Sequence, residues 1–300
     1  MNPVTVAIPT HNRAASLRDT LGSVGALRAP EGVSLQCLVV DNCSSDDTAA
    51  VVASFASTAP IPVRCVREER LGSSFARNRA VEESGTELIF FIDDDALADP
   101  GWAAALFAEM KSRGLDAACG PVLPRWSAPR PAWLGPSLLV KLAVHDERTI
   151  AQAPDTKLES MENYFSANVG FRRDTFARFG KFREDLGVVG GNPMSGEDTE
   201  LFQRIVAAGG RMGFVRGAIV HHVIPPSRMT RNYLLRKSFA FGVGSACAGG
   251  RSHNQVDKLF RNVIRMTTSA ARGDAEHTLY HQLEVANFLG YWRGRLLSRK

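Results

Sequence analysis

The sequence predicts an α/β fold with a mostly parallel central sheet, and three observations indicate it. Short apolar segments without helical periodicity alternate with helical segments over residues 1 to about 100. Several of these apolar segments end in polar or acidic residues. The apolar run at residues 88–92 is typical of a strand buried on both faces, and it leads directly into Asp93, Asp94 and Asp95. Because ligands of open α/β sheets bind beyond the carboxyl ends of the strands, we expect a site there.

The first hundred residues predict four strands, at residues 4–8, 35–40, 63–67 and 88–92. Between them, helices are expected at 14–24, from the polar turn after Asp41 to Phe55, and at 76–83. This alternation predicts a right-handed, doubly wound parallel sheet.

The remainder is less regular. We expect a helix at 102–111, an irregular proline-rich segment at 120–136, a strand at 166–171 and a helical turn at 174–179. A glycine-rich loop at 184–195 precedes a helix at 198–208 and a strand at 212–222. Helices are expected at 232–241, 256–271 and 276–297.

Composition places the chain among ordinary soluble globular proteins, with 44% hydrophobic and 22% charged residues. Five scattered cysteines form no CxxC pair, which predicts free thiols and a reducing compartment. The N-terminal residues lack the pattern of a signal peptide, and no apolar run is long enough to cross a bilayer. We therefore expect a cytoplasmic location.

Positive charge is concentrated at the C-terminus. From Arg228 onwards, 13 Lys and Arg residues stand against four Asp and Glu residues, whereas the whole chain has a net charge of only +5. Such a segment favours contact with anionic lipid headgroups, polyphosphates or nucleic acid. A solvated helical face with a basic bias explains the same composition.

The aspartate triplet predicts a cation site. Alternate residues of a strand point the same way, so we expect Asp93 and Asp95 to converge while Asp94 points elsewhere. Two carboxylates on one side favour Mg²⁺ or Mn²⁺ together with the phosphates of a ligand. A polar strand end with a helix cap is the alternative interpretation.

Five segments together resemble the inverting family 2 glycosyltransferases of the GT-A fold, of the type found in bacterial polysaccharide and glycan biosynthesis. In order, they are VAIPTHNR (6–13), VVDNCSSDDT (39–48), GSSFARNRA (72–80), FIDDD (91–95) and SGEDTEL (195–201). The resemblance covers roughly residues 4 to 240. It implies transfer of a sugar from a nucleoside-diphosphate sugar to an acceptor hydroxyl, with inversion at the anomeric carbon and a divalent metal, Mn²⁺ or Mg²⁺.

The resemblance also implies residue roles. Asp95 is the first candidate metal ligand, Asp93 contacts the metal or the ribose, and His222 is a further ligand, with His221 one residue away as the alternative. Asp94 would be structural or linked to the substrate through water. Residues expected to bind the nucleoside and diphosphate are Pro9, Thr10, Arg13, Asp41, Gly72, Arg77, Asn78 and Arg228.

On the acceptor side, Asp198 is the implied catalytic base and Glu197 orients the acceptor or its loop, while Asn168 and Gly170 shape the sugar pocket. Simpler roles explain several of these residues. An Asx turn would account for Asp41, an exposed helix position for Arg77, and helix capping for the two acids before the helix at 198–208.

We expect a catalytic domain at 1–225, with a nucleotide-binding half (1–100) and an acceptor-binding half (101–225), followed by a helical basic extension at 226–300. The expected partners are a donor, by family habit UDP-linked, and a saccharide or lipid-linked acceptor. The basic extension is expected to contact the anionic inner membrane surface, and no nucleic acid is expected. A cation-dependent nucleotidyltransferase or phosphotransferase and a non-catalytic nucleotide-sugar-binding homologue remain alternatives.

Overall fold

The computed structural model describes residues 2–152, 164–189, 196–249 and 255–297. Part of the predicted glycine-rich loop, residues 190–195, lies outside the described residues, as does the end of the basic extension, residues 298–300. The described strands are β1 Asn2–Thr10, β2 Val33–Asn42, β3 Val63–Glu68, β4 Leu88–Ile92, β5 Ala96–Ala98, β6 Ala117–Cys119, β7 Val122–Trp126, β8 Asn168–Arg172, β9 Met212–Phe214 and β10 Val220–Ile224.

The described helices are α1 Ala14–Gly25, α2 Thr48–Ala56, α3 Ser73–Glu83, α4 Trp102–Arg113, α5 Glu147–Gln152, α6 Asp174–Phe179, α7 Glu197–Ala207, α8 Arg231–Cys247, α9 Gln255–Ala271 and α10 Ala275–Leu297. Two short 3₁₀ helices cover Pro136–Leu142 and Pro226–Arg228. In the part of the chain that the structure describes, no helix has the length and apolar character needed to span a membrane.

The main sheet has seven strands in the order β3-β2-β1-β4-β8-β6-β9. The first four strands, β1 to β4, are all parallel to their neighbours among these four, which confirms the predicted doubly wound half. Strand β8 runs antiparallel to both of its neighbours, β4 and β6. The predicted fold class, α/β with a mostly parallel sheet, is therefore confirmed.

The central strand β4 is buried along its whole length, as its apolar sequence predicts. On one face of the sheet, Phe90 packs edge-on against Trp102 of α4 at 5.8 Å between ring centroids. On the other face, Phe91 packs edge-on against Phe171 of β8 at 6.1 Å. Because aromatic packing holds both faces, the end of β4 is fixed firmly where the aspartate triplet begins.

Two sequence predictions are wrong in the second half. The single strand predicted at 212–222 is two strands in different sheets, because a turn at 215–218 separates β9 from β10. The segment 120–136, predicted as irregular, contains β7, which pairs with β10 in a three-stranded sheet ordered β5-β10-β7. Pro124 is tolerated in β7 because β7 lies at the edge of that sheet, where a missing N–H breaks no ladder.

The C-terminal helices form a closely packed unit on this second sheet. A Cβ atom added at Gly242 of α8 would lie 2.0 Å from the Asn287 carbonyl oxygen, and one at Gly290 of α10 would lie 1.9 Å from the Phe239 carbonyl oxygen. Glycine is therefore required where these two helices meet. Leu279 and Leu283 of α10 join a buried cluster with residues of β7, β10 and the first 3₁₀ helix. The helical nature of the extension is confirmed, and its boundary at 225 stays a prediction.

Candidate active site

The aspartate triplet does not follow strand geometry. Arg13 Nη1 donates hydrogen bonds to Asp94 Oδ1 at 2.9 Å and to Asp95 Oδ2 at 2.6 Å, while Asp93 Oδ1 lies 3.2 Å from Arg77 Nη2. The expected convergence of Asp93 and Asp95 is therefore wrong. Strand β4 ends at Ile92 and the triplet forms a turn, so the alternation of side chains along a strand stops applying there.

Asp95 lies at the centre of a buried charge cluster. Its Oδ2 accepts hydrogen bonds from Arg13 at 2.6 Å and from Arg228 Nη2 at 2.8 Å, and its Oδ1 lies 3.4 Å from His222 Nε2. Burial alone would raise the pKa of Asp95, but His222, Arg228 and Arg13 outweigh burial and hold this pKa well below its usual range. Burial raises the pKa of neighbouring Asp94 to about 6, although the charge of Arg13 opposes that rise.

The structure separates the two candidate histidines. Alternation along β10 turns the buried His222 towards Asp95, while His221 Nε2 lies 3.0 Å from Asp99 Oδ1. Arg228 Nη1 donates to His222 Nε2 at 2.8 Å.

The donor atoms at this position fit a divalent cation. The 3.4 Å between Asp95 Oδ1 and His222 Nε2 is close to the ~3 Å expected of adjacent ligands around an octahedral Mg²⁺ or Mn²⁺. Within the described ranges, no group of three or more His, Cys, Asp or Glu side chains could hold a metal. Asp95 and His222 could supply two ligands to a cation, and substrate phosphates and water would supply the rest, the usual arrangement at sites that bind phosphates through a cation.

Arg77 connects the triplet to the start of α7. Its buried guanidinium donates to Glu197 Oε1 at 2.7 Å and to Asp93 Oδ1 at 3.2 Å. Ser73 Oγ also donates to Glu197 Oε1, at 2.9 Å. Arg77 is therefore not the exposed helix residue that one interpretation allowed. Burial and the neighbouring charge of Asp198 raise the pKa of Glu197, and Arg77 opposes this rise.

Asp198 is more accessible than Glu197. Its Oδ1 accepts a hydrogen bond from the Thr199 N–H at 2.8 Å and its Oδ2 from the Ser166 N–H at 3.3 Å, while the side chain stays partly exposed. Glu197 is buried and bonded to Arg77 and Ser73. Of the two adjacent acids, Asp198 is the one that solvent or an acceptor can reach.

Lys237 is a residue of this site that the sequence did not reveal. It lies on α8, seven residues before Gly244, and residues seven apart share one helix face. Gly244 approaches Gly196, the residue before the two acids, so this face of α8 covers the site. Burial and the charge of Arg228 lower the pKa of Lys237 to about 8, and the carboxylates of Asp95, Asp198 and Asp93 act in the opposite direction. The three carboxylates are therefore close enough to Lys237 for their charges to act on its ammonium group.

The sequence signal that could have identified Lys237 is its position on the buried face of α8. Leu234 and Ser238 of α8 are buried, and Lys237 lies beside them, whereas its neighbour Arg236 is exposed. The sequence does not show which face of α8 packs against the rest of the protein. It therefore gave no reason to choose Lys237 over Arg236 as a residue of the site.

The predicted nucleoside residues lie at the carboxyl ends of β1 and β2. Thr10 is buried with its hydroxyl beside Asp94, and Pro9 precedes it in β1. Asp41 in β2 accepts a hydrogen bond from the Ser44 N–H at 2.9 Å, so the Asx turn named as its alternative role is present, and its role in binding the nucleoside stays a prediction. The Gly72 N–H donates to Asn42 Oδ1 at 2.7 Å, from a backbone φ of 151° that favours glycine.

Three predicted substrate residues make contacts within the core, and their substrate roles stay predictions. Asn168 is fully buried and accepts from Trp102 Nε1 at 2.7 Å, while its amide donates to two backbone carbonyls. A Cβ atom at Gly170 would come within 2.8 Å of Phe90, so this glycine is required for packing. Asn78 exchanges hydrogen bonds with the backbone of Phe182 at 2.9 and 3.0 Å and thereby holds the loop after α6.

Comparison with known proteins decides the family. The family model described as Glycosyl transferase family 2 matches residues 5–180. This chain belongs to glycosyl transferase family 2. The succinoglycan biosynthesis protein ExoM of Rhizobium meliloti is 27% identical over 240 residues, which cover 80% of this chain and 72% of ExoM. A glucosyl-dolichyl phosphate glucuronosyltransferase of Haloferax volcanii is 26% identical over 79% of this chain and 74% of that protein.

Solved structures confirm the GT-A fold of this family 2 glycosyltransferase. The mannosyltransferase PcManGT from Pyrobaculum calidifontis, in complex with GDP-Man and Mn²⁺, superposes with a TM-score of 0.67 at 18% identity, over 99% of this chain and 88% of that one. TarS of S. aureus in complex with UDP-GlcNAc gives a TM-score of 0.55 at 14% identity, over 100% and 92% of the two chains. The family assignment favours glycosyl transfer over the nucleotidyltransferase, phosphotransferase and non-catalytic alternatives.

Proposed function

We propose that this glycosyltransferase moves a sugar from a nucleoside-diphosphate sugar to a hydroxyl of a saccharide or lipid-linked saccharide, with inversion and with Asp198 as the base. The observation that carries this proposal is the bridge made by Arg77, which joins Asp93 at 3.2 Å and Glu197 at 2.7 Å and so brings the aspartate triplet next to the start of α7, where Asp198 lies. A single displacement needs a cation at the leaving diphosphate and a carboxylate at the attacking hydroxyl. A cation held by Asp95 and the carboxylate of Asp198 would meet these two needs.

Asp198 is suited to take the proton of the acceptor. Its carboxylate is partly exposed and is oriented by the Ser166 and Thr199 N–H groups. Glu197, held by Arg77 and Ser73, fixes the first turn of α7 and so the position of Asp198. We assign Glu197 a positioning role, in agreement with the role that the family resemblance implies.

On the donor side, Arg228 and Lys237 face the carboxylate cluster and are placed to neutralise a diphosphate. A divalent cation held by Asp95 and His222 would act as a Lewis acid that stabilises charge on the departing phosphate. Arg228 contacts both Asp95 and His222, so a cation held by these two residues would compete with its guanidinium, and a diphosphate would offer it another anionic partner. Asp93, which the structure turns towards Arg77, is the weaker candidate ligand.

The donor and acceptor that we propose are based on what the similar proteins are named for. Two structural neighbours carry nucleotide sugars, one GDP-linked and one UDP-linked, so the nucleobase requires a test, and UDP remains our first choice. A relative named for its action on a glucosyl-dolichyl phosphate favours a lipid-linked acceptor. We accordingly propose a cytoplasmic enzyme that contacts the inner membrane surface through its basic C-terminal helices.

The experiment is a thermal-shift screen of UDP, GDP, dTDP and CDP sugars, each with and without Mn²⁺, followed by transfer assays with the stabilising donor. We expect one donor class to raise the melting temperature, and more so with Mn²⁺, because a ligand of the native state stabilises it. Proton NMR of the new glycosidic bond then tests inversion. Stabilisation by a donor, but with the donor's anomeric configuration retained in the product, would contradict Asp198 as the base of a single displacement.

A further inference from the structure

Helix α9 presents an apolar stripe to solvent. Phe260 and Ile264 lie one helical turn apart and are 63% and 61% exposed, and Val263 lies between them at 38%. Large apolar side chains seldom form a continuous row on an exposed helix face unless the row has a binding partner, because contact of apolar surface with water is unfavourable. The stripe is not a packing face of α9, since Asn262, on the other side, bonds to His281 of α10 at 2.9 Å.

A basic stripe runs beside the apolar one. Lys258, Arg261 and Arg265 follow each other at intervals of three and four residues, so they share one face of α9, and all three are exposed. None of them forms an ion pair with another described residue. Arg265 also lines an open cavity of about 600 Å³ with His277 and His281, so the basic side is accessible to a headgroup-sized anion.

The neighbouring helix repeats this composition. Leu289, Trp292 and Leu296 of α10 are spaced by three and four residues and are about half exposed or more, with Arg293 and Arg295 exposed beside them. Helices α9 and α10 are joined by a short turn and pack as a hairpin. A hairpin whose two helices both expose apolar and basic stripes differs from a merely solvated basic face.

We propose that the apolar stripe of α9 inserts into the interface of an anionic bilayer while its basic stripe binds the lipid headgroups. A helix with separate apolar and basic faces lies in the plane of the membrane interface, with its apolar side chains at the level of the acyl chains. Charge complementarity selects an anionic bilayer over other apolar partners, because the exposed basic residues of α9 outnumber its one acid, Asp257. This inference deepens the membrane contact in the proposed function by naming the surface that makes it.

The test is co-sedimentation of the full chain with phosphatidylcholine vesicles, with or without phosphatidylglycerol, at low and high salt. We expect binding only with phosphatidylglycerol, and weaker binding at high salt. The variant Phe260→Ser/Ile264→Ser should lower the partition coefficient about tenfold or more for each side chain, because burying a large apolar residue contributes roughly that factor. Both positions are exposed, so circular dichroism and the melting temperature should match those of the parent chain.

Two variants that each lose two positive charges distinguish binding by the basic stripe of α9 from general attraction of the protein to an anionic membrane. Lys258→Gln/Arg261→Gln should weaken binding about fivefold for each charge, whereas Arg18→Gln/Arg28→Gln, which removes two exposed charges elsewhere, should leave it nearly unchanged. Equal losses from both variants would overturn the proposal. So would an absence of binding to anionic vesicles at low salt, or sedimentation velocity showing that Phe260→Ser/Ile264→Ser abolishes self-association instead. Vesicle binding needs no donor, so these results stand apart from the fate of the proposed transferase reaction.

Discussion

Removing Arg77 should cost more stability than removing Arg79, the other arginine of α3, and the cost should depend on pH. Arg77 is buried and joins Glu197 at 2.7 Å and Asp93 at 3.2 Å. In Arg77→Met the buried Glu197 loses its cation. Breaking a buried ion pair from one side typically costs about 3–5 kcal/mol of unfolding free energy. The matched control is Arg79→Met on α3, where a half-exposed i,i+4 pair with Glu83 should contribute less than about 1 kcal/mol.

The direction of the pH dependence follows from Glu197. Its native pKa is already raised by burial and by Asp198, and loss of Arg77 raises it further. A carboxyl whose folded pKa exceeds its unfolded pKa stabilises the fold fully below the unfolded pKa, near 4.3, and loses that contribution as the pH rises through the folded pKa. The penalty of Arg77→Met should therefore grow between about pH 5 and 8, by at most ~1.4 kcal/mol per pH unit.

Urea unfolding of Arg77→Met and Arg79→Met at several pH values measures the loss of unfolding free energy, which is read from the midpoint when the m-value is unchanged. The double variant Arg77→Met/Glu197→Gln should recover part of the loss at pH 8, because it removes the unpaired charge. A penalty that is equal at pH 5 and pH 8, or no larger than that of Arg79→Met, would refute the reasoning.

The remaining predictions concern single side chains. Asp198→Asn should lower kcat at least about 100-fold while the donor-induced thermal shift persists, and loss of that shift would point to donor binding instead. Lys237→Met should lower kcat/KM for the donor about 10- to 100-fold, as expected of a lost charged hydrogen bond, whereas Arg236→Met should not, and equal effects would remove Lys237 from the site. Asn168→Ala should destabilise the fold by about 2 kcal/mol or more in urea, because Trp102 Nε1 and two carbonyls lose their partner, and an unchanged midpoint with a raised acceptor KM would restore its predicted pocket role.

The parallel half of the sheet was predictable because each strand carries its own signal. In β4 the five apolar residues have no polar face, and the structure buries all of them. The second half carried weaker signals. Pro124 hid strand β7, which tolerates a proline only through its place at a sheet edge, a fact of topology that local sequence does not contain.

For the site, sequence identified which segments meet but not where their side chains point. The triplet was placed correctly after β4, yet its pairing was wrong because strand alternation was extended into a turn. Asn168 lies in a segment expected to shape the pocket, but its amide faces Trp102. Lys237 escaped notice because its role depends on how α8 docks, which no local pattern records.

The glycine contacts between α8 and α10 bring the backbones of the two helices into direct contact. Helix α8 carries Lys237 over the reaction cleft, and α10 carries the C-terminal hairpin. The two helices therefore pack as one unit through two residues that have no side chain, Gly242 and Gly290. If the hairpin contacts a membrane as proposed, that contact would also constrain where α8 holds Lys237.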